Sequence, residues 1–217
     1  MRRFAFRFLT GLAMLTCSAL ATAQTSWTTV VNNGDIMPGT SVLFNSYNQP
    51  SINNLGTVVF RARSKGETST KPVHGIYTRN MAKSSPLVRI FDKTSPVPSP
   101  NNNNATFIEF PSFPRIDQAT NNLVTRGTSQ PVLTYTTPTG ETKAGTSGVY
   151  AFTGKKAFTA AAQLGNVKGY EYFQVPGATT GTKFDQFPGA PSITGNLVVF
   201  KGNYTEGRVV VVGRGYG

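Results

Sequence analysis

An all-β fold built from repeated antiparallel β-sheet units is what this chain predicts, on three observations. First, Pro50-Ser51-Ile52-Asn53-Asn54-Leu55-Gly56-Thr57-Val58-Val59-Phe60 returns in weakened form as Pro114-Arg115-Ile116-Asp117 with Asn122-Leu123-Val124. It returns again as Pro191-Ser192-Ile193-Thr194-Gly195-Asn196-Leu197-Val198-Val199-Phe200. The equivalent prolines stand 64 and then 77 residues apart, too far for a hairpin and suited to a four-stranded unit with variable loops. Second, beyond the N-terminal segment the apolar side chains come in short β-branched and aromatic runs rather than at helical spacing. Third, 22 Gly and 14 Pro punctuate the 217 residues, which argues against long helices. The expected architecture is β-propeller-like with about three blades, complete or incomplete, in units at roughly 34–98, 99–164 and 165–217.

Residues 1–23 are expected to be a signal peptide. Arg2, Arg3 and Arg7 make a basic start, Phe8 to Leu20 an apolar run, and Ala21-Thr22-Ala23 a small-x-small cleavage site before Gln24. The run is shorter than the roughly 20 apolar residues a bilayer span needs, and it contains Thr10 and Thr16. A twin-arginine route through Arg2-Arg3 fits its flanks poorly. Lipidation at Cys17 lacks the small residue that would stand beside the cysteine. Residues 24–217 are thus expected to form a secreted or periplasmic β-repeat domain with no transmembrane segment. Cys17 is the only cysteine, so this mature chain has no disulfide and must be held by sheet packing.

Each unit has the same expected order. A Pro-rich lead-in loop (Pro38-Gly39, Pro98 to Pro100, Pro176-Gly177) precedes an aromatic pair, assigned as Phe44 and Tyr47, Phe110 and Phe113, and Phe184 and Phe187. A Pro-x-Ile corner follows, because proline fixes φ and offers no N–H, which suits an edge. Asn53-Asn54-Leu55-Gly56 supplies residues that tolerate positive φ in a turn. An inner strand then ends at Phe60, Thr125 or Phe200. In the first two units Gly75-Ile76-Tyr77 and Gly148-Val149-Tyr150 come next, and Leu87 to Phe91 or Ala157 to Ala162 closes the unit. Lys155 to Leu164 is the one stretch where a helical turn competes. In the third unit the Gly-aliphatic-Tyr strand would begin at Gly215, with only Gly215-Tyr216-Gly217 remaining. Trp27 to Val31 reads as the last strand of a unit that begins elsewhere. It either pairs with the C-terminal unit and closes a ring, or the chain is a shortened array with an open edge that favours self-association.

The string Asn53-x-x-Gly56-x-x-Val59-Phe60 resembles the signature of exported bacterial tandem-repeat proteins named for the motif NxxGxxVF. Gly75-Ile76-Tyr77 and Gly34-Asp35-x-x-Pro38-Gly39 are similar to parts of the same repeat. The likeness covers roughly residues 27–217. It is good in the first unit, partial in the third, where Asn196 replaces the glycine, and poor in the second. It implies propeller-like β repeats of uncharacterised function at or outside the cell surface, and no activity.

The formal charge is +12; without the three leader arginines, 18 Lys and Arg face 9 Asp and Glu, a net +9. Such an excess suits an anionic polysaccharide or cell-envelope component. It is diffuse, and Arg61-Arg63-Lys65 and Lys155-Lys156 are its densest groupings, so nucleic acid is disfavoured. His74 is the only histidine, expected at an exposed strand start, and no nucleophile motif accompanies it. One histidine and no mature cysteine argue against zinc, and scattered carboxylates against calcium. No catalytic, cofactor-binding or metal-ligating residue is assigned. Asp117 and Asp185 are the pair that would matter to a carbohydrate-active enzyme, although aspartates in repeat loops more often cap turns. Asn101 to Asn104 is expected to be a disordered polar loop. The functional expectation is a non-catalytic binding or structural role. An extracellular carbohydrate-active enzyme or a repeat fragment without independent function are the alternatives.

Overall fold

The computed structural model describes residues 26–66, 72–153, 158–164, 170, 173–205 and 207–214, and among them there is no helix. The protein is all-β. Residues 1–23, expected to be a signal peptide, Lys155-Lys156 and Gly215-Tyr216-Gly217 lie outside the described residues. The first sheet holds β1 (Phe44–Tyr47), β2 (Ser51–Ile52), β3 (Thr57–Ser64), β4 (His74–Asn80) and β5 (Val88–Asp92). Its order is β1-β3-β4-β5, with β2 also on β3. The second holds β6 (Phe107–Glu109), β7 (Arg115–Ile116), β8 (Leu123–Ser129), β11 (Ser147–Phe152) and β12 (Phe158–Gln163). Its order is β6-β8-β11-β12, with β7 also on β8, the same winding strand for strand. Between β8 and β11 stands a separate hairpin, β9 (Leu133–Thr137) and β10 (Gly140–Ala144). The third sheet is β13 (Ser192–Thr194), β14 (Leu197–Tyr204) and β15 (Gly207–Arg214), in that order. All pairings are antiparallel, and none of these sheets closes on itself.

Packing follows from strand alternation. Phe44, Val58, Phe60, Ala62 and Tyr77 point to one side of the first sheet, into a cluster with Met37. Val59, Ile76 and Phe91 point to the other side, where Phe107, Phe110, Ile116, Leu123 and Tyr150 of the second sheet meet them. Val124, Val149 and Ala151 leave the far side of the second sheet and join Val175, Phe184, Phe187, Val198 and Phe200. The sheets therefore stack in chain order, and a strand buried on both faces reads as a continuous apolar run. Phe60 and Phe200 are buried, as the repeat requires, and Thr125 takes their place in the second sheet. Their cross-strand partners are Tyr77, Val211 and Tyr150. Bulges also recur in register, between Ile76 and Tyr77 on the β5 side and between Val149 and Tyr150 on the β12 side.

Three expectations are corrected. The aromatic pair of the second sheet is Phe107 and Phe110, with ring centroids 5.1 Å apart at 47°, the same geometry as Phe184 and Phe187. Phe113 is partly exposed. The ring of Phe107 lies where a Cβ on Gly127 would project, and Phe184 does the same over Gly202, so a small residue two positions past Thr125 and Phe200 accompanies the pair. Gly207 to Arg214 already supplies the third strand of the third sheet, because Tyr204 to Gly207 turns tightly enough to bring Val211 opposite Phe200. Trp27 to Val31 forms no strand: Val30 and Val31 pack against the first sheet, and the Val30 carbonyl accepts a hydrogen bond from Arg79 Nη1 at 2.7 Å. Among the described residues no pairing to the C-terminal unit closes a ring. The closing strand expected at Ala157 to Ala162 is present as β12, Phe158–Gln163, pairing with β11 through Val149↔Ala162, and the competing helical turn is absent among the described residues.

Candidate functional site

The polar groups with chemical potential gather at the seams between sheets. At the first seam, Arg61 and Arg63 leave β3 on the face toward the second sheet, and His74 starts β4 beside Arg63 in register. Glu109 at the end of β6 reaches back between the aromatic pair. Its Oε1 lies 3.3 Å from Arg61 Nη2, and its Oε2 lies 2.9 Å from Arg63 Nη2 and 3.0 Å from His74 Nδ1. The Phe110 N–H also donates to Oε1 at 2.9 Å. Burial pushes the Glu109 carboxyl up, but the His74 contact, the Phe110 N–H and the nearby cations outweigh it and bring it down to about 2. A carboxylate held so low stays ionised near neutrality, suited to binding two guanidinium groups and unsuited to proton transfer there. His74 is buried in this cluster, which corrects its expected place at an exposed edge. The loop position hid this, because its partner lies 35 residues away on another sheet.

The second set forms a line along the corners. Asn53 Oδ1 accepts from the N–H groups of Leu55 and Thr57 and so shapes its own turn. Its Nδ2 donates to the Thr120 carbonyl at 2.6 Å and to Asn121 Oδ1 at 3.1 Å in the next corner. There Asp117 Oδ2 accepts from the N–H and Oγ1 of Thr120, both at 2.7 Å, and from the Ala119 N–H. Its Oδ1 accepts from Gly195 N–H at 2.8 Å in the third corner, while Asn122 Nδ2 donates to the Gly195 carbonyl at 2.9 Å. Burial raises the Asp117 carboxyl, and these donors more than reverse it, leaving it below the usual aspartate value. The Asn-x-x-Gly string is thus an inter-sheet tie. Gly56 has φ +75°, and a Cβ there would meet Ala82 at 2.7 Å, so both backbone and space demand glycine. In the third corner the positive-φ glycine is Gly195, one place before Asn196.

Asp185 does not join Asp117. It is exposed and accepts from Thr205 Oγ1 at 3.3 Å on the third sheet, whereas Asp117 is buried and saturated by donors. Asn101 is buried, its Nδ2 donating to the Leu164 carbonyl and its N–H to Gln163 Oε1, so the expected disordered loop is an ordered turn. Asn103 and Asn104 take positive φ in that turn, a conformation asparagine accepts more readily than most residues. An open hollow of about 420 Å³ beside β1 is lined by Asn33, Ser41, Leu43, Asn45, Ser64 and Lys65 among others. Among the described residues no group of three or more His, Cys, Asp or Glu side chains is placed to hold a metal ion. No helix among them is long and apolar enough to cross a membrane.

The arrangement defines a class first: stacked antiparallel sheets tied by polar side chains at corners and seams. The chain belongs to a family of unknown function, DUF7453, whose model matches residues 9–196. No curated protein and no solved structure matches it.

Proposed function

We propose that this is an exported, non-catalytic tandem-repeat protein of propeller-like β units, of the NxxGxxVF kind, with a binding or structural role at or outside the cell surface. The observation that carries the reading is the use made of Glu109, His74, Asp117 and Arg61. Two carboxylates and a histidine that could serve acid-base chemistry in an enzyme, and an arginine that could bind an anionic substrate, here join one sheet to the next. The identical winding of the first two sheets and their matched bulges support the repeat. Arg2, Arg3, Arg7 and Ala21-Thr22-Ala23 support export and a mature N-terminus at Gln24. The net +9 of the mature chain suits an anionic polysaccharide or envelope component as partner.

The test pairs a hydrolysis screen on acidic and neutral glycans with Glu109→Gln and Asp117→Asn. The expected result is no turnover by the wild type, and variants that lose stability. Turnover by the wild type that either substitution abolishes without moving the melting temperature would establish the carbohydrate-active alternative. Intact mass of exported protein should correspond to a start at Gln24; a lipid-bearing Cys17 would contradict it.

A further inference from the structure

The stretch from Asn32 to Phe44 repeats four hydrogen bonds of the stretch from Asp92 to Phe107. The Asp35 N–H donates to the Asn32 carbonyl at 3.0 Å, as Ser95 does to Asp92 at 3.0 Å. The Asn32 N–H donates to Asp35 Oδ2, as that of Asp92 donates to Ser95 Oγ. Met37 N–H to Val42 carbonyl matches Val97 to Ala105, each at 2.9 Å, and Phe44 to Asp35 matches Phe107 to Ser95. What precedes Asp92 is β5, the fourth strand of the first sheet, lying along the outer edge of β4. What precedes Asn32 is Trp27 to Val31, which holds that position with no sheet before it among the described residues. Val30 and Val31 pack on the sheet that follows, as Ile90 and Phe91 do, while Trp27 is 91% exposed.

The third sheet has the complementary vacancy. Its β15 stands where β4 and β11 stand, yet among the described residues no strand pairs with the outer edge of β15. Its outward face is also bare. Val59 and Ile76 are covered by the second sheet and Val124 and Val149 by the third, and all four are buried. In register with them, Val199 is only partly buried and Val210 is 68% exposed, with Leu197 and Val212 exposed alongside.

We propose that Trp27 to Val31 of one copy adds to the outer edge of β15 of a second copy, whose bare Val199, Val210 and Val212 face then packs against the donor's first sheet. The contact repeats between chains the relation that joins the first sheet to the second within one. It is head-to-tail, so it closes as a ring of copies or grows as a filament. A face-to-face contact between two third sheets is disfavoured, since each would set the exposed cations Lys201 and Arg208 against their own kind.

Trp27 is the only tryptophan, so its fluorescence reports the donor strand directly. In sedimentation of the exported protein over a wide concentration range, mass should rise in whole multiples of the monomer while the emission moves to the blue. Thr29→Pro, which removes a strand N–H from an exposed segment, and Val210→Asp, on the exposed face, should each leave a monomer with an unchanged thermal transition. Mixed together, the two variants should stop at a dimer, because each retains the half that the other lacks. A wild type that stays monomeric at every concentration would overturn the proposal, whether its tryptophan is solvated or shielded. Association that survives Thr29→Pro would overturn it equally.

Discussion

Phe60 and Phe200 end the inner strands of the first and third sheets, each surrounded by rings: Phe44, Tyr47 and Tyr77 around the one, Phe184 and Phe187 around the other. Truncating either to alanine should cost about 3–5 kcal/mol in urea unfolding, because the cavity is walled by strands that cannot collapse into it. The two residues were legible as equivalents, since an apolar run that ends in phenylalanine survives repetition. Glu109 was not, because nothing in its neighbourhood of the chain announces Arg61 or His74 on another sheet. Its depressed carboxyl gives a signed expectation. The stability it contributes is present above the ordinary carboxylate value and is lost as pH falls through about 2, so the urea midpoint should drop between about pH 4.5 and 2. Asp117, also lowered, acts in the same direction. Glu109→Gln should flatten that acid limb. At neutral pH it should cost about 2 kcal/mol, below the ~3–5 kcal/mol of a fully buried broken pair, because the Glu109 side chain is 31% exposed.

At the scale of elements, the Gly-aliphatic-Tyr strands were readable because their chemistry is local. A Cβ on Gly75 would meet the Tyr77 hydroxyl at 2.7 Å, so the two residues must travel together. The third sheet escaped the same reading because Val211, not tyrosine, opposes Phe200. The unbroken valine run from Val209 to Val212 carries no sign of which strand it replaces. Of the hairpin β9–β10, only Val132 to Tyr135 has the apolar, β-branched and aromatic composition of a strand. Its return strand Gly140-Glu141-Thr142-Lys143-Ala144 is too polar to count as a buried strand, and the structure leaves it largely exposed. Since β9 and β10 make their substantial contacts with each other alone, replacing Val132 to Lys143 with a short turn should leave the melting temperature within a few degrees. A large loss on that replacement would mean that the arm supports the second sheet.

Across the whole molecule, the order of the sheets was legible from the spacing of three prolines, whereas the failure of ring closure was not. Trp27 to Val31 has the composition of a strand, and composition does not say which edge it meets. Among the described residues each sheet packs on its sequence neighbours, so stability is expected to behave as a sum over adjacent interfaces. The third sheet shares one interface and the second shares two. Amide hydrogen exchange should therefore be fastest in β14 and β15 and slowest in β8 and β11; uniform protection would contradict nearest-neighbour stacking. The corner ties carry one more consequence, for how such a chain can change in length. Because Asn53 bonds the Thr120 carbonyl and Asp117 bonds the Gly195 N–H, a residue gained or lost in one corner would misalign the next. Among the described residues the β8–β11 connection is tied to the next unit by a single long bond, Tyr170 Oη to the Ala144 carbonyl at 3.3 Å, and it has room for an entire hairpin. One side of the stack is thus locked in length while the opposite side is free to grow, and new surface for recognition can be added there without disturbing the ladder of turns.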